Sequence, residues 1–265
     1  MLSKELLDKI NYEYEINETK YFNQELKNHE MTIDVFDLPM KAEEDFIIGG
    51  CPREITFREI GFPVSDLNLY KIEKGYKDDY ILESSITKLY NGLKNKFKDK
   101  KYSIFHTLND DICDLIDTRR ERIEPFRHSV YVYNEEEKYK TIIFYYLVQS
   151  DKDFREPNNM IVTDLLPGII NMIASEKMNE IDVILKHVHS FEEKVITFTK
   201  SEYLDSEVLV INNVPTSFDI HRYNDLIVKT AKDINEHIKN KTFSDIKNPN
   251  KCNKCLHRRF CDTLP

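Results

Sequence analysis

Cys252-Asn-Lys-Cys255-Leu-His-Arg-Arg-Phe-Cys261 sets three thiols in a C-x2-C-x5-C pattern. Three thiolates so closely spaced can turn toward one metal centre, and a tetrahedral ion or a cubane cluster needs a fourth ligand. The remaining cysteines are Cys51 and Cys113. Cys51 is the better placed, because it stands in Gly49-Gly50-Cys51-Pro52-Arg53, a glycine-loosened turn with a proline suited to the first turn of a helix. A centre made of Cys51, Cys252, Cys255 and Cys261 staples an early turn to the cysteine tail. Such a cross-link closes a loop of about 200 residues and lowers the entropy of the unfolded chain. Sulfur donors select iron–sulfur clusters or zinc over hard cations, and the spacing leaves both open. His257, between two ligands, reads as a supporting or surface residue, and Cys113 as a small buried apolar side chain.

The 265 residues suffice for one large domain or two small ones, and 40% hydrophobic with 11% aromatic residues describes a folded chain. Five cysteines, three of them clustered, point to metal ligation with one spare thiol rather than to a secreted disulfide frame. Met1-Leu-Ser-Lys-Glu-Leu-Leu-Asp-Lys lacks the apolar centre of a signal peptide, and no apolar run reaches about eighteen residues. A cytoplasmic location without a membrane span is the expectation. A net charge of −9 argues against a protein that coats nucleic acid nonspecifically, while leaving room for a local basic groove.

Periodicity gives a mixed α/β plan with a central sheet. Residues 3–10 and 18–29 carry thin apolar stripes and read as polar helices, and 31–40 as an extended connector. A helix follows Cys51 as far as Gly61-Phe-Pro63, and another runs from Gly75 to Phe97 with Leu82, Ile86, Leu89, Tyr90, Leu93 and Phe97 on one face. Strands are expected at 101–107, 112–117, 128–133 and 139–148, the last two joined by a turn at Asn134-Glu-Glu-Glu-Lys138. A helix at 161–176, strands at 181–187, 194–199 and 207–212, and an amphipathic helix at 222–239 complete the order.

Cys51-Pro-Arg-Glu-Ile-Thr-Phe-Arg-Glu-Ile-Gly61-Phe-Pro, followed by Ile72-Glu-Lys-Gly75 and closed by the C-x2-C-x5-C cluster, resembles the iron–sulfur PD-(D/E)XK nucleases. That group holds the CRISPR-associated RecB-like exonucleases and the nuclease domains of bacterial helicase–nuclease complexes. The likeness covers residues 45–97 and, more loosely, 165–261. It implies a restriction-endonuclease-like α/β fold, a mixed sheet flanked by helices with a C-terminal cysteine staple, over residues 45–265. Residues 1–44 form a helical extension in this scheme. It also implies a [4Fe–4S] cluster on Cys51, Cys252, Cys255 and Cys261, with zinc as the alternative, and single-stranded or end-containing DNA as partner.

The catalytic half of the pattern is missing. Such nucleases hold a divalent metal on acidic side chains and use a lysine beside the phosphate. The family has a histidine in the helix after the glycine, where this chain reads Gly75-Tyr-Lys-Asp-Asp79; it then has an aspartate on one strand and Glu-x-Lys on the next. Here those places align with Ser129 to Tyr131 and with Phe144-Tyr145-Tyr146, which offer no carboxylate for Mg2+. A competing alignment uses Asp117, the literal Glu-x-Lys of Glu136 and Lys138, and Asp79 in place of the histidine. Arg119, Arg120, Arg122 and Arg127 form a candidate phosphate contact, and His187 and His189 alternate on a strand as a candidate metal pair. The expectation is a degenerate, noncatalytic protein that binds DNA or scaffolds recombination, replication, or CRISPR adaptation or its interference. The alternatives are an active Mg- or Mn-dependent DNA exonuclease and a protein–protein module of a DNA-processing complex.

Overall fold

The structure is a computed structural model that describes residues 33–34, 38–41, 47–60, 69–98, 101–106, 123–124, 129–176, 178–203, 205–253, 255 and 257–264. For 33, 34, 69–77, 79, 123, 124, 259 and 260 the description is of the backbone alone. The helices expected at 3–10 and 18–29 and the strand expected at 112–117 lie outside the described residues.

Among the described residues the largest element is a seven-stranded mixed sheet. Its meander begins with β4 (Tyr102–His106), continues with β6 (Ser129–Asn134) and ends with β7 (Tyr139–Val148). β6 pairs antiparallel with both, and the expected turn closes the β6–β7 hairpin at 135–138. A helical crossover then brings β8 (Glu180–His187) parallel to β7. The crossover comprises α3 (Asp151–Arg155), α4 (Asn158–Met160), a π-helical turn (Ile161–Leu165) and α5 (Leu166–Ala174). β9 (Glu193–Tyr203), β10 (Ser206–Ile211) and β11 (Val214–Asp219) extend the sheet antiparallel. The fold is thus α/β, a large mixed sheet flanked by helices.

Alternation along β6 and β7 seals both faces of the sheet. Tyr131, Ile142 and Phe144 join the main core with α5 and with Ile220, Ile227 and Ile234 of α6 (Ile220–Lys239). Val130 and Tyr145 point the other way, beneath Ile86 of α2 (Leu69–Lys96). α6 starts two residues before the expected 222 because Asp219, as its N-cap, accepts a hydrogen bond from the Arg222 N–H at 2.8 Å. α2 begins before Gly75, since one interior glycine costs only about 1 kcal/mol relative to alanine in a helix. β11 contains Pro215, which hid it as a strand; it lies at the sheet edge, where a missing N–H is tolerated.

Short strands lead into the cysteine turn. β1 (Ile33–Asp34) pairs with β5 (Ile123–Glu124). β2 (Pro39–Lys41) pairs with β3 (Ile47–Gly49) across the boundary drawn at 44, and Leu38 and Met40 are part of the main core. Gly49 ends β3 opposite Pro39 at φ +84, where a β-carbon would run into the Leu38 carbonyl and stand 2.8 Å from Pro167 Cγ. Gly49→Ala is therefore expected to lose roughly 2–3 kcal/mol, combining left-handed strain with overpacking against backbone. An unchanged urea midpoint for this variant would contradict that crowding.

Candidate metal centre

Cys51 occupies the N-cap of α1 (Pro52–Glu59), with extended dihedrals and Pro52 in the first turn, as the Gly-Gly-Cys-Pro reading requires. No side-chain hydrogen bond caps this helix. The chain after α6 returns to this point as a strap. Asn248 donates its N–H to Cys51 Sγ at 3.3 Å and its side-chain amide to the Gly49 carbonyl at 2.8 Å. The buried Arg53 Nε donates to the Ser244 carbonyl at 2.7 Å, the Arg53 N–H to the Ile246 carbonyl at 3.1 Å, and the guanidinium lies 5.3 Å from the Phe243 ring centre. Thr56 Oγ1 accepts the Ser244 N–H at 3.1 Å. Phe57 meets Phe243 and His257, with ring centres 5.3 and 5.7 Å away.

The strap delivers the cysteine cluster to the head of α1. Cys51, Cys252, Cys255 and Cys261 all line one cavity of about 330 Å3, counting its open mouth, together with Glu54, Phe57, Lys247, Lys251, Arg258 and Asp262. Cys261 is carried there by the short helix α7 (Arg258–Cys261). Among the described residues no three His, Cys, Asp or Glu side chains converge to hold a metal ion.

Burial and nearby negative charge disfavour the thiolate at Cys51, Cys252 and Cys255. Burial raises Cys51 above its usual value against the opposing Asn248 N–H. Burial, then the Glu54 charge, pushes Cys255 up to about 12, and burial also raises Cys252. A bound cation reverses this order, because thiolates are the ligands and their protons leave on binding. The His257 N–H donates to Cys255 Sγ at 3.4 Å, so two of the four sulfurs receive backbone donors. The residues present thus fit a sulfur-ligated group: four cysteines on one cavity, with N–H dipoles aimed at two of them. His257 itself is buried against Phe57.

The other expected site residues are not gathered here. Ser129 pairs with Phe144 in the β6–β7 register, and both are fully buried, as is Val130, with Tyr131 and Tyr145 nearly so. Glu136 and Lys138 sit on the exposed hairpin turn, where Lys101 Nζ binds Glu136 at 2.6 Å; neither belongs to a strand. Asp79 lies on α2 with only its backbone described, and Asp117, Arg119, Arg120, Arg122 and Arg127 lie outside the described residues, as does Cys113. His187 and His189 do not alternate on a strand. His187 ends β8, buried, and its Nδ1 accepts the Ser190 N–H at 3.1 Å, while His189 is in the turn with its ring centre 5.7 Å away. Acids beside β7 are engaged: Tyr139 donates to Glu180 at 3.4 Å, and Thr197 to Asp182 at 2.6 Å. Burial and the Asp182 charge raise Glu180. Neither Arg53 nor Asn248 was singled out in the sequence. The bare clue was an arginine two places after Cys51 in an otherwise buried helix face.

Fold and cavity define an α/β protein whose sheet supports a thiol-lined pocket. No family model matches the chain, and no curated protein matches it. A solved structure titled "Crystal structure of SSO0001" aligns over 92% of this chain and 94% of its own, at 14% identity and a TM-score of 0.39. Among the described residues no helix is long and apolar enough to cross a membrane.

Proposed function

We propose that this chain is a PD-(D/E)XK-like, iron–sulfur protein whose nuclease centre has been replaced by core packing, and that it binds single-stranded or end-containing DNA without cutting it. Burial at the β6–β7 pair supports this reading most directly. The strand positions that align with the nuclease carboxylates hold Ser129, Val130, Tyr131, Phe144, Tyr145 and Tyr146, and all but the half-buried Tyr146 are covered by α2 or the main core. None of these six side chains is a carboxylate that could ligate Mg2+ or Mn2+, and Asp164, which accepts the Tyr146 hydroxyl, is paired with Lys251. Cys51, Cys252, Cys255 and Cys261 would hold the [4Fe–4S] cluster. Four sulfur donors lining one cavity suit such a cluster, with one zinc ion as the alternative. When bound, the group supplies a covalent cross-link between the head of α1 and the strap.

The test is anaerobic incubation of metal-replete protein with end-labelled single-stranded DNA, with Mg2+ or Mn2+ and then with EDTA. The expected result is no cleavage, and binding that weakens steeply as salt rises. Cleavage that EDTA stops and Glu136→Ala abolishes would make the protein an exonuclease acting from the turn. Neither cleavage nor salt-sensitive binding would leave a protein–protein module, compatible with the −9 charge.

A further inference from the structure

Lys251 directly precedes Cys252 and forms part of the cavity wall. A lone lysine there would swing its flexible stem toward water. Here Nζ donates to Asp164 Oδ1 at 2.8 Å, with the two side chains only 26% and 24% exposed. The other Asp164 oxygen accepts the Tyr146 hydroxyl at 2.9 Å, and Tyr146 belongs to β7 in the middle of the sheet. Burial alone would raise the Asp164 carboxyl, but Lys251 and Tyr146 together outweigh it and hold it below its usual value.

The carboxylate stands on the π-helical turn Ile161–Leu165, a rare backbone form that recurs at functional sites. The loop that carries Cys252 is therefore fastened at two points. Asn248 ties its start to the Gly49 carbonyl, and Lys251 ties the residue before the thiol to the crossover and the sheet.

We propose that Asp164 is a positioning residue of the metal centre: by holding Lys251 against the sheet it fixes the Cys252 loop and slows the escape of the bound group. This rests on the metal-centre reading. Asp164 touches no ligand, so its effect travels through Lys251 alone, as partners that orient ligands do in other metal sites.

Asp164→Asn, Lys251→Met and the double variant are to be purified anaerobically, with iron and zinc counted per chain. Metal release to excess chelator is then followed by absorbance. Each single variant is expected to release metal about tenfold faster than the parent chain. The double variant should be no faster than the singles, since either change cuts the same tether. Lys251→Arg, which keeps the ion pair, should stay near the parent rate. Unfolding midpoints of the metal-free chains separate this from general loosening, because a merely structural pair would lower those midpoints without changing metal release. Parent-like release from loaded Asp164→Asn and Lys251→Met would overturn the tether while leaving the metal centre intact. A parent chain that binds neither iron nor zinc would overturn the metal centre, and the tether with it.

Discussion

Cys255→Ser is expected to lose the metal centre and at least about 4 kcal/mol of stability, the linkage value for a ligand present at a thousand times its dissociation constant. Cys255 is one of the four proposed ligands and lines the cavity. Its thiol is pushed up to about 12 by burial and by Glu54, so that in the absence of a cation it stays neutral and contributes little. With a cation it becomes a thiolate that accepts the His257 N–H. Serine keeps the shape but is a poor ligand for a soft metal. The stabilisation removed should be the metal's own. Metal-free parent and metal-free Cys255→Ser should therefore unfold at nearly the same urea concentration, while the loaded parent unfolds much later. Elemental analysis and visible absorbance check the first half, and paired urea titrations the second. Full metal content in the variant would remove Cys255 from the ligand set.

How far the chain announced this architecture depends on the kind of signal. The apolar, β-branched and aromatic run over Tyr139–Val148 and the turn at Asn134–Lys138 are local properties, and both appear where they were expected. So is the hydrophobic face of α6, with Ile227 and Ile234 in the core. Proline hid β11, because a strand that gives up an N–H is recognisable only once it is known to lie at an edge. The hairpin of β2 and β3 was masked by its shortness, with three residues on each side. In the site, the four cysteines were legible because thiols at metal-ligand spacing are uncommon in composition. Arg53, Thr56, Asn248 and the Asp164–Lys251 pair were not. Each makes its partner across a long stretch of chain, 188 to 199 positions for the first three and 87 for the pair. Polar residues of these types are abundant in a chain that is 32% charged. Spacing says nothing about such contacts; only the return of the strap creates them.

That return gives Arg53→Ala the second large effect, a loss of roughly 3–4 kcal/mol that does not depend on metal. The guanidinium is almost wholly covered, at 2% side-chain exposure, whereas its acidic neighbour Asp245 is 92% exposed. The ion pair at 3.4 Å is thus screened on one side and carries little of the energy. The weight falls on the 2.7 Å bond to the Ser244 carbonyl, the stacking on Phe243 and the volume that alanine would leave empty. Removing the arginine leaves that carbonyl without the guanidinium donor at the place where the strap crosses α1. Arg53→Met refills most of the volume without the donor, and Arg53→Lys keeps a charge without the planar fork. If hydrogen bonding governs the strap, methionine should be nearly as damaging as alanine; if packing governs, methionine should recover most of the loss. In either case the strap should become the first segment cut in limited proteolysis of the metal-free alanine variant, ahead of the sheet. Cleavage of that variant within the sheet before residues 243–261 would show that the strap is held mainly by something other than Arg53.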